Sequence, residues 1–502
     1  DKNRLCSLLN KTYSLDELVN YIPYIGVDLE SVKGNNIKIE YNPNRPDLGI
    51  ITGIAKAIQG LLREEKGLIK YNTTKSESII HTDENSIRPF ILGVIIKNID
   101  LNDDILKELI SFQEDLHVTI GRKRRKVSIG IHDLNVIQFP IKYKTFKPKD
   151  ISFIPLNESK KMSLDDILNK TDKGKLYSHI LDKSPLYPVI LDSKENVLAF
   201  PPIINSEFSH ITNKTKNLFV DFTGTDLKSV MDVGKVMVTT FADYGANIES
   251  VNVISPQNQI NYPDLSTRKL IIKQKTINQL LGLNMNNSEI IESLQASRFN
   301  AEIINNSLSV EIPSYRIDIL HPIDLVEEVA IGYGLWKIEP EKPYPIHYGT
   351  RNPLKEFTSL VSEIMVGSGF QEIMNFTLSN IQKQFKMMQI KEQNYIKIHK
   401  PKSLENEIIR TWLIPGLLQV LHLSKKELYP QNIFEIGKVA SIKNGLPIEN
   451  LNLGVMMINS ETGYAQIKSI LDSLTHILEL KSSITPVQHS SFIDGRVGKI
   501  MI

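Results

Sequence analysis

The sequence contains a single cysteine, Cys6, among 502 residues. One cysteine can form neither an intrachain disulfide nor a cysteine zinc site, so a reducing, intracellular compartment is expected. Long hydrophobic runs are missing as well, because no run approaches the ~18 consecutive apolar residues that a membrane helix needs. The first residues also lack the uninterrupted apolar core of a secretory signal. The sequence therefore predicts a soluble protein that has no membrane partner.

Neither sign of charge is in excess, since 59 Lys and Arg residues face 57 Asp and Glu residues for a formal net charge of +2. This balance excludes a strongly basic nucleic-acid coat, so any contact with nucleic acid must be local. The hydrophobic and charged fractions, 41% and 23%, are close to the globular average and argue against wholesale disorder. A chain of this length exceeds one hydrophobic core, so we expect roughly three to four domains.

Short strand-like runs alternate with helical patches without the regular spacing of βαβ units, which predicts a multidomain α+β fold rather than a doubly wound sheet. Helices are predicted at 14–21, 49–62, 228–244 and 322–331, and the Ser/Thr/Asn-rich stretch 72–86 is predicted to be a linker. In the amphipathic helix predicted at 354–367, we expect Leu354, Leu360 and Val361 to lie in the core. Linker signals and a proline-rich segment at 340–345 divide the chain into units of residues 1–85, 86–265, 266–343 and 344–502.

Four carboxylates fall close together around the predicted helix 322–331. They are Asp318, Asp324, Glu327 and Glu328. Helical spacing places the last three on one face, where a hard cation such as Mg²⁺ would remove their mutual repulsion. Alternatively, the acids complement the helix dipole and Arg316 is their ion-pair partner. The spacing alone favours this second interpretation.

Two further segments carry candidate pocket residues. Asp221 and Thr223 lie on the same side of an extended chain, as a pocket that reads a hydroxyl or positions a water requires. An ordinary strand end with a side-chain turn is the alternative, and the sequence alone favours it. Pro202 restricts the backbone ahead of Asn205, whose amide offers both donors and acceptors at a rigid rim.

A basic run at residues 121–126, Gly-Arg-Lys-Arg-Arg-Lys, precedes a predicted strand. It is suited either to phosphate contacts or to a solvated loop, and the sequence leaves both interpretations open. No Walker A, His-Glu-x-x-His or Gly-x-Ser-x-Gly motif is present. In 344–502 the arginines are Arg351, Arg410 and Arg496, and none has the context of a class II phosphate clamp.

Seven segments together resemble, in order, the β subunit of phenylalanyl-tRNA synthetase in its archaeal and eukaryotic cytosolic form. The segments are YNPNRPDLGIITGIAKAI, FQEDLHVTIGRKRRKVSIGIHDL, YPVILDSKENVLAFPPIIN, NLFVDFTGTDL, IPSYRIDILHPIDLVEEVAIGYG, GFQEIMNFTLS and FEIGKVA. The resemblance implies an N-terminal domain at 1–85, a B3/B4 editing domain at 86–265 and a small, helix-rich B5 domain at 266–343. It further implies a class II synthetase-like antiparallel-sheet domain at 344–502 that lacks catalytic motifs and is truncated at its C-terminus.

The resemblance also implies a function. An (αβ)₂ tetramer would attach phenylalanine to tRNA(Phe) with ATP at the α-subunit site, while the β subunit hydrolyses mischarged Tyr-tRNA(Phe) in the cytoplasm. Asp221 and Thr223 would form the editing pocket, with Pro202 and Asn205 at its rim. The four carboxylates match the family's Mg²⁺ motif position by position, which reverses the preference drawn from spacing. The alternative is a non-enzymatic tRNA-binding or assembly subunit with an inactive editing pocket.

Overall fold

The computed structural model describes residues 1–83, 87–181, 184–342, 348–461 and 463–502. These residues form two compact units, Asp1–Glu341 and Lys342–Ile502. Residues 343–345, half of the predicted proline-rich boundary at 340–345, lie outside the described residues. Among the helices that are described, none is both long and apolar enough to cross a bilayer.

The first unit begins with short helices and a hairpin. These elements are α1 (Lys2–Leu8), α2 (Leu15–Tyr21), β1 (Val27–Lys33), β2 (Asn36–Tyr41) and α3 (Ile51–Leu61). The predicted helices at 14–21 and 49–62 are confirmed as α2 and α3. A capping box begins α2, because the Ser14 side chain accepts from the backbone N–H of Glu17 and the Glu17 carboxylate accepts from that of Ser14.

A ten-stranded sheet dominates the first unit. Its region comprises β3 (Thr73–Thr82), β4 (Phe90–Lys97), α4 (Asp103–Val118), β5 (Val127–Asp133), β6 (Ile141–Phe146), β7 (Ser152–Phe153), β8 (Met162–Ser163), α5 (Leu164–Lys170), α6 (Asp172–Tyr177), β9 (Tyr187–Leu191), β10 (Val197–Phe200), β11 (Ile204–Asn205), β12 (Leu218–Gly224), α7 (Leu227–Asp243), β13 (Asn247–Ile254) and β14 (Gln259–Tyr262). The strand order is β11-β10-β9-β6-β3-β13-β4-β12-β5, with β14 on β13, while β7 and β8 pair separately. Helices α4 and α7 share one hydrophobic core with this sheet.

The predicted linker at 72–86 is wrong for most of its length. Residues 73–82 form β3, which pairs in parallel with both β13 and β6 inside the large sheet. The Ser/Thr-rich composition suggested a loop, yet threonine and isoleucine also suit a pleated, half-buried strand. Ile80 is completely buried there. The last residues of the predicted linker, 84–86, lie outside the described part of the chain.

A small three-stranded sheet with three helices follows. Its elements are β15 (Arg268–Ile272), α8 (Gln274–Leu281), α9 (Asn287–Ala296), β16 (Asn300–Ile304), β17 (Ser307–Ile312) and α10 (Asp324–Tyr333), with strand order β15-β17-β16. Its own core joins all three helices to the sheet. The predicted helix at 322–331 is α10, which begins two residues later than expected.

The second unit is built around a long antiparallel hairpin. Its elements are α11 (Pro353–Gly367), β18 (Gln371–Glu372), β19 (Leu378–Ser379), β20 (Ile408–Ile409), α12 (Ile414–Leu423), β21 (Gln431–Lys443), β22 (Leu446–Ile458), α13 (Tyr464–Ile477), β23 (Ser483–Pro486) and β24 (Gly498–Met501). The hairpin β21–β22 is antiparallel, whereas β18 pairs with β21 in parallel. Both units mix helices and strands, as the predicted α+β class requires.

The expected core positions of α11 are only partly correct. Val361 is buried and packs in a cluster with Phe434. Leu354 and Leu360 are instead 58% and 45% exposed. Leu360 lies about 100° around the helix from Val361 and faces away from the core. Leu354 shares the Val361 face two turns earlier, but it lines an open cleft with Ile436 and Leu451 of the hairpin.

Candidate functional site

Asp221 and Thr223 lie on β12, which pairs antiparallel with β4 on one side and β5 on the other. Their side chains share one face of the strand, as the predicted alternation requires. Both are buried, with 2% and 0% of their surface exposed. The structure therefore brings these two candidates together inside the sheet.

Asp221 belongs to a buried hydrogen-bond chain. Its Oδ2 lies 2.9 Å from Nε2 of His132, and Nδ1 of the same ring lies 2.8 Å from Oγ of Ser209. Gly130 is the residue directly opposite Asp221 on β5, and a Cβ added there would lie 2.0 Å from Asp221 Oδ2. Glycine at this position therefore leaves room for the carboxylate and the imidazole to meet.

Thr223 is held by a buried arginine. Nε of Arg88 donates to the Thr223 hydroxyl at 2.9 Å, and Nη2 donates to the Thr223 carbonyl at 2.6 Å. Ser128 completes the group, with its hydroxyl 2.9 Å from that of Thr223 and 3.0 Å from Arg88 Nη2. Burial lowers the pKa of Arg88 to about 10, so the guanidinium remains charged at neutral pH.

Asn205 lies elsewhere, at a cleft of about 450 Å³ that is also lined by Ile129 and Ile131. Successive side chains alternate between the two faces of β5, so Ile129 and Ile131 are on one face while Ser128 and His132 are on the other. The cleft and the Asp221 group are consequently on different faces of this strand.

Pro202 is buried, and its carbonyl accepts a hydrogen bond from Arg124 at 3.4 Å. The Asn205 amide donates to the carbonyl of Ile131 at 3.3 Å. Among the described residues, no hydrogen bond joins Pro202 or Asn205 to Asp221 or Thr223. The two predicted rim residues are thus not part of the Asp221 group, and their role in the pocket remains a prediction.

Sequence reasoning missed the partners of the candidate pair. Ser128, Gly130 and His132 do leave a signal, because small or polar residues alternate with apolar ones along β5. That alternation marks a polar face, but nothing in the sequence says that this face meets β12. Arg88 leaves no signal at all, since it stands alone before Pro89.

The predicted acidic site is divided by Arg316. This buried guanidinium donates to both oxygens of Asp318, at 2.9 and 2.7 Å, and also to Glu328. Burial lowers the pKa of Arg316, but Glu328 and Asp318 outweigh that effect and hold it well above its usual value. Two of the four predicted ligands therefore form ion pairs, as the alternative interpretation of the sequence required.

The other two carboxylates point elsewhere. Asp324 Oδ2 accepts from the backbone N–H groups of Leu320 and His321, each at 2.7 Å, and Glu327 is exposed. Asp324, Glu327 and Glu328 keep the predicted helical spacing on α10, but Glu328 is buried while Glu327 faces solvent. Among the described residues, no group of three or more His, Cys, Asp or Glu side chains could hold a metal ion. The oxygen donors suit Mg²⁺ chemically, but their arrangement does not fit a metal cage.

Two known families match parts of the chain. Residues 271–335 match the tRNA synthetase B5 domain, and residues 341–502 match the phenylalanyl tRNA synthetase beta chain CLM domain. The phenylalanine–tRNA ligase β subunit of Archaeoglobus fulgidus is 38% identical over 97% of this chain and 89% of the relative. That of Pyrococcus horikoshii is 37% identical over 100% of this chain and 92% of the relative.

This chain belongs to the phenylalanine–tRNA ligase β-subunit family. The resemblance found in the sequence is therefore confirmed. A crystal structure of an N-terminal fragment of the Pyrococcus horikoshii β subunit superposes with a TM-score of 0.64 at 37% identity, and it covers 66% of this chain and 98% of the fragment. The acidic residues divided by Arg316 lie within the part of this β-subunit chain that matches the B5 domain.

Proposed function

We propose that this chain is the β subunit of a cytoplasmic (αβ)₂ phenylalanine–tRNA ligase whose α subunit attaches phenylalanine to tRNA(Phe) with ATP. The observation that carries the proposal is the 38% identity with a phenylalanine–tRNA ligase β subunit over 97% of this chain. We further propose that the B3/B4 region hydrolyses mischarged Tyr-tRNA(Phe).

The arginines of the second unit support the need for a catalytic partner. Arg410 is buried and lies 2.5 Å from Glu435, and its Nε donates to the carbonyl of Lys438. A guanidinium held in this way is not available to clamp the phosphates of ATP. Arg351 and Arg496 are exposed and lie outside the hairpin. Adenylation is therefore assigned to the α subunit.

Selectivity explains why a second hydrolytic pocket is useful. A pocket that accepts phenylalanine rejects tyrosine, which carries one extra hydroxyl, only about 10²-fold unless the pocket contains groups that exclude this hydroxyl. In the editing proposal, the Asp221 carboxylate accepts a hydrogen bond from the tyrosyl hydroxyl or holds the attacking water. His132 orients that carboxylate, and Arg88 fixes the hydroxyl of Thr223. Hydrolysis then relies on a positioned water rather than on a protein nucleophile.

A specific observation favours the second candidate function, an assembly or tRNA-binding subunit without editing. Asp221 and Thr223 are almost completely buried, and both have protein hydrogen-bond partners. Side chains in this state stabilise the sheet whether or not a substrate ever reaches them. Editing by this group requires that the aminoacyl end gain access to that buried face.

Deacylation of Tyr-tRNA(Phe) by the purified αβ complex tests the editing proposal. We expect Asp221→Asn to lower the rate at least tenfold, while aminoacylation with phenylalanine is retained as evidence of a folded complex. Asp150→Asn, at an exposed position of the same region, is the matched control. Equal rates for the wild type and Asp221→Asn contradict the site, and no deacylation by either favours the assembly subunit.

Binding of Mg²⁺ by Asp318, Asp324, Glu327 and Glu328 remains a proposal supported by the match to the B5 domain. Calorimetric titration of the αβ complex with Mg²⁺ tests it without an activity assay. The test variant is Asp324→Asn with Glu327→Gln, because these two carboxylates are not paired with Arg316. Unchanged Mg²⁺ binding in this variant would mean that Asp324 and Glu327 are not metal ligands.

A further inference from the structure

Residues 121–126, which connect α4 to β5, form a loop with four outward-facing cations; we call it the basic loop. Arg122, Lys123 and Arg125 are exposed, and Lys126 is half-buried. Counting only residues that the structure describes, no carboxylate lies within ion-pair distance of the first three. Lys126 Nζ lies 3.7 Å from Asp226 Oδ1. The charges of Arg122, Lys123 and Arg125 are therefore not neutralised by carboxylates in the described part of this chain.

The backbone of the basic loop is held in an unusual conformation. Arg122, Lys123 and Arg124 have φ angles of 49°, 54° and 64°, so three successive residues with side chains are left-handed. Side chains disfavour this region, and it persists only where the surroundings impose it. Here the Arg124 N–H donates to the carbonyl of His117 at 3.0 Å, and that of Lys126 donates to Gly121 at 2.8 Å.

Arg124 anchors the basic loop to the protein interior. It is the one buried side chain of the basic run, at 8% exposure, and it forms an ion pair with Glu114. Its Nη1 donates to the carbonyl of Ile203 at 3.1 Å, and its guanidinium lies 4.6 Å from the centre of the Tyr177 ring. Arg124 thus points into the protein and holds the loop, while Arg122, Lys123 and Arg125 remain exposed.

Arg88 connects the basic loop to Thr223. Its Nη1 donates to the carbonyls of Arg124 and Arg125, at 3.2 and 3.4 Å, while its other nitrogens bond Thr223. Thr223 lies opposite Ser128, and Lys126 is two residues before Ser128. At about 3.3 Å per strand residue, the loop ends roughly 7 Å from Ser128, the residue opposite Thr223.

We propose that the basic loop binds phosphates of the acceptor end of tRNA and so directs the aminoacyl group towards Thr223 and Asp221. This inference rests on the proposed editing function. Arginine forms charge-assisted hydrogen bonds with phosphate, and a fixed backbone reduces the conformational entropy lost when those bonds form. Because the phosphates carry no sequence information, the loop positions the tRNA without selecting it.

Equilibrium binding of tRNA(Phe) to the purified αβ complex, measured from low to moderate salt, tests the loop. The test variant is Arg122→Gln with Arg125→Gln, and the control is Lys147→Gln with Lys149→Gln, which removes the same charge from exposed positions of the same region. Losing two phosphate contacts lowers the slope of log affinity against log salt by about 1.4 to 1.8 and weakens binding roughly tenfold or more near 0.1 M salt. The control should match the wild type.

A salt slope in the test variant equal to that of the wild type overturns the inference. It is also overturned if α–β association weakens while tRNA binding does not change, because the loop is then a protein interface. Deacylation of Tyr-tRNA(Phe) by the wild-type complex is measured in parallel and reports on editing alone. A lowered slope without any deacylation supports the phosphate contacts and removes the editing function.

Discussion

His132 and Asp221 meet across neighbouring strands, with Nε2 of the imidazole 2.9 Å from Oδ2 of the carboxylate. Both side chains are buried, so neither can replace its partner with bulk water. A buried carboxylate without a partner is costly, because it loses its hydration and gains nothing in return. This pair therefore fixes the carboxylate in one orientation and contributes to the stability of the sheet.

Replacing His132 should reveal that contribution. We expect His132→Ala to lower the free energy of unfolding by about 1–3 kcal/mol, since Asp221 loses its hydrogen bond in the interior. Urea denaturation of the αβ complex, followed by fluorescence, measures the change. His210→Ala removes an exposed imidazole of the same region and should have little effect. An equal loss in both variants would mean that the buried pair has no special role.

Gly130 offers a second test of the same geometry. Gly130→Ala places a Cβ 2.0 Å from Asp221 Oδ2 and 2.8 Å from His132 Nε2, so the pair must separate. We expect a loss of about 1–3 kcal/mol in the free energy of unfolding from overpacking, together with slower Tyr-tRNA(Phe) deacylation. Gly349→Ala meets nothing within 4 Å and serves as the control. Wild-type stability in Gly130→Ala would contradict the close approach of Gly130 to Asp221.

The candidate pair could be predicted from sequence because strand alternation is local. Asp221 and Thr223 are two residues apart, so any extended backbone puts them on one face. Their partners could not be predicted, because His132 lies 89 residues from Asp221 in the chain. Only the pairing of β12 with β5 brings the two together, and that register depends on the whole sheet.

The acidic residues show the limit of helical spacing. Asp324, Glu327 and Glu328 have the spacing of one helix face, yet Glu327 is exposed while Glu328 is buried against Arg316. Spacing fixes relative angles along a helix, but it does not say which angle faces the core. The arginine two residues before Asp318 was visible in the sequence, and its ion pairing was the interpretation that spacing alone favoured.

Arg316 should therefore be more important for stability than a surface arginine or lysine. Arg316→Ala removes the guanidinium that pairs with both Asp318 and Glu328. Among the described residues, the buried Glu328 is then left with only Arg45, whose Nη1 lies 3.7 Å away. We expect a loss of roughly 3–5 kcal/mol in the free energy of unfolding. Lys269→Ala, which breaks an exposed ion pair with Glu302, should leave stability close to that of the wild type. Denaturant titration of both variants checks this. A small effect of Arg316→Ala would contradict this role and would mean that Arg45 alone is sufficient for Glu328.

His117 makes stability depend on pH. The backbone N–H of Ile129 donates to its Nε2 at 2.8 Å, so this nitrogen must stay unprotonated in the folded chain. Burial lowers the pKa of His117 to about 4, and the Glu114 carboxylate, 3.6 Å from Nδ1, only partly offsets that effect. The unfolded side chain has a pKa near 6.5 and binds its proton first. This contribution is therefore present above pH 6.5 and lost as the pH falls towards 4.

A difference of about 2.5 pKa units corresponds to about 3 kcal/mol between these limits. His117→Gln keeps an acceptor for Ile129 but cannot titrate, so its stability should fall less steeply from pH 7 to pH 5 than that of the wild type. Urea denaturation at pH 7, 6 and 5 measures both slopes, and His210→Gln controls for the loss of an exposed imidazole. Parallel slopes for the wild type and His117→Gln would contradict a buried, neutral His117, because the proton taken up on unfolding must then bind to other groups.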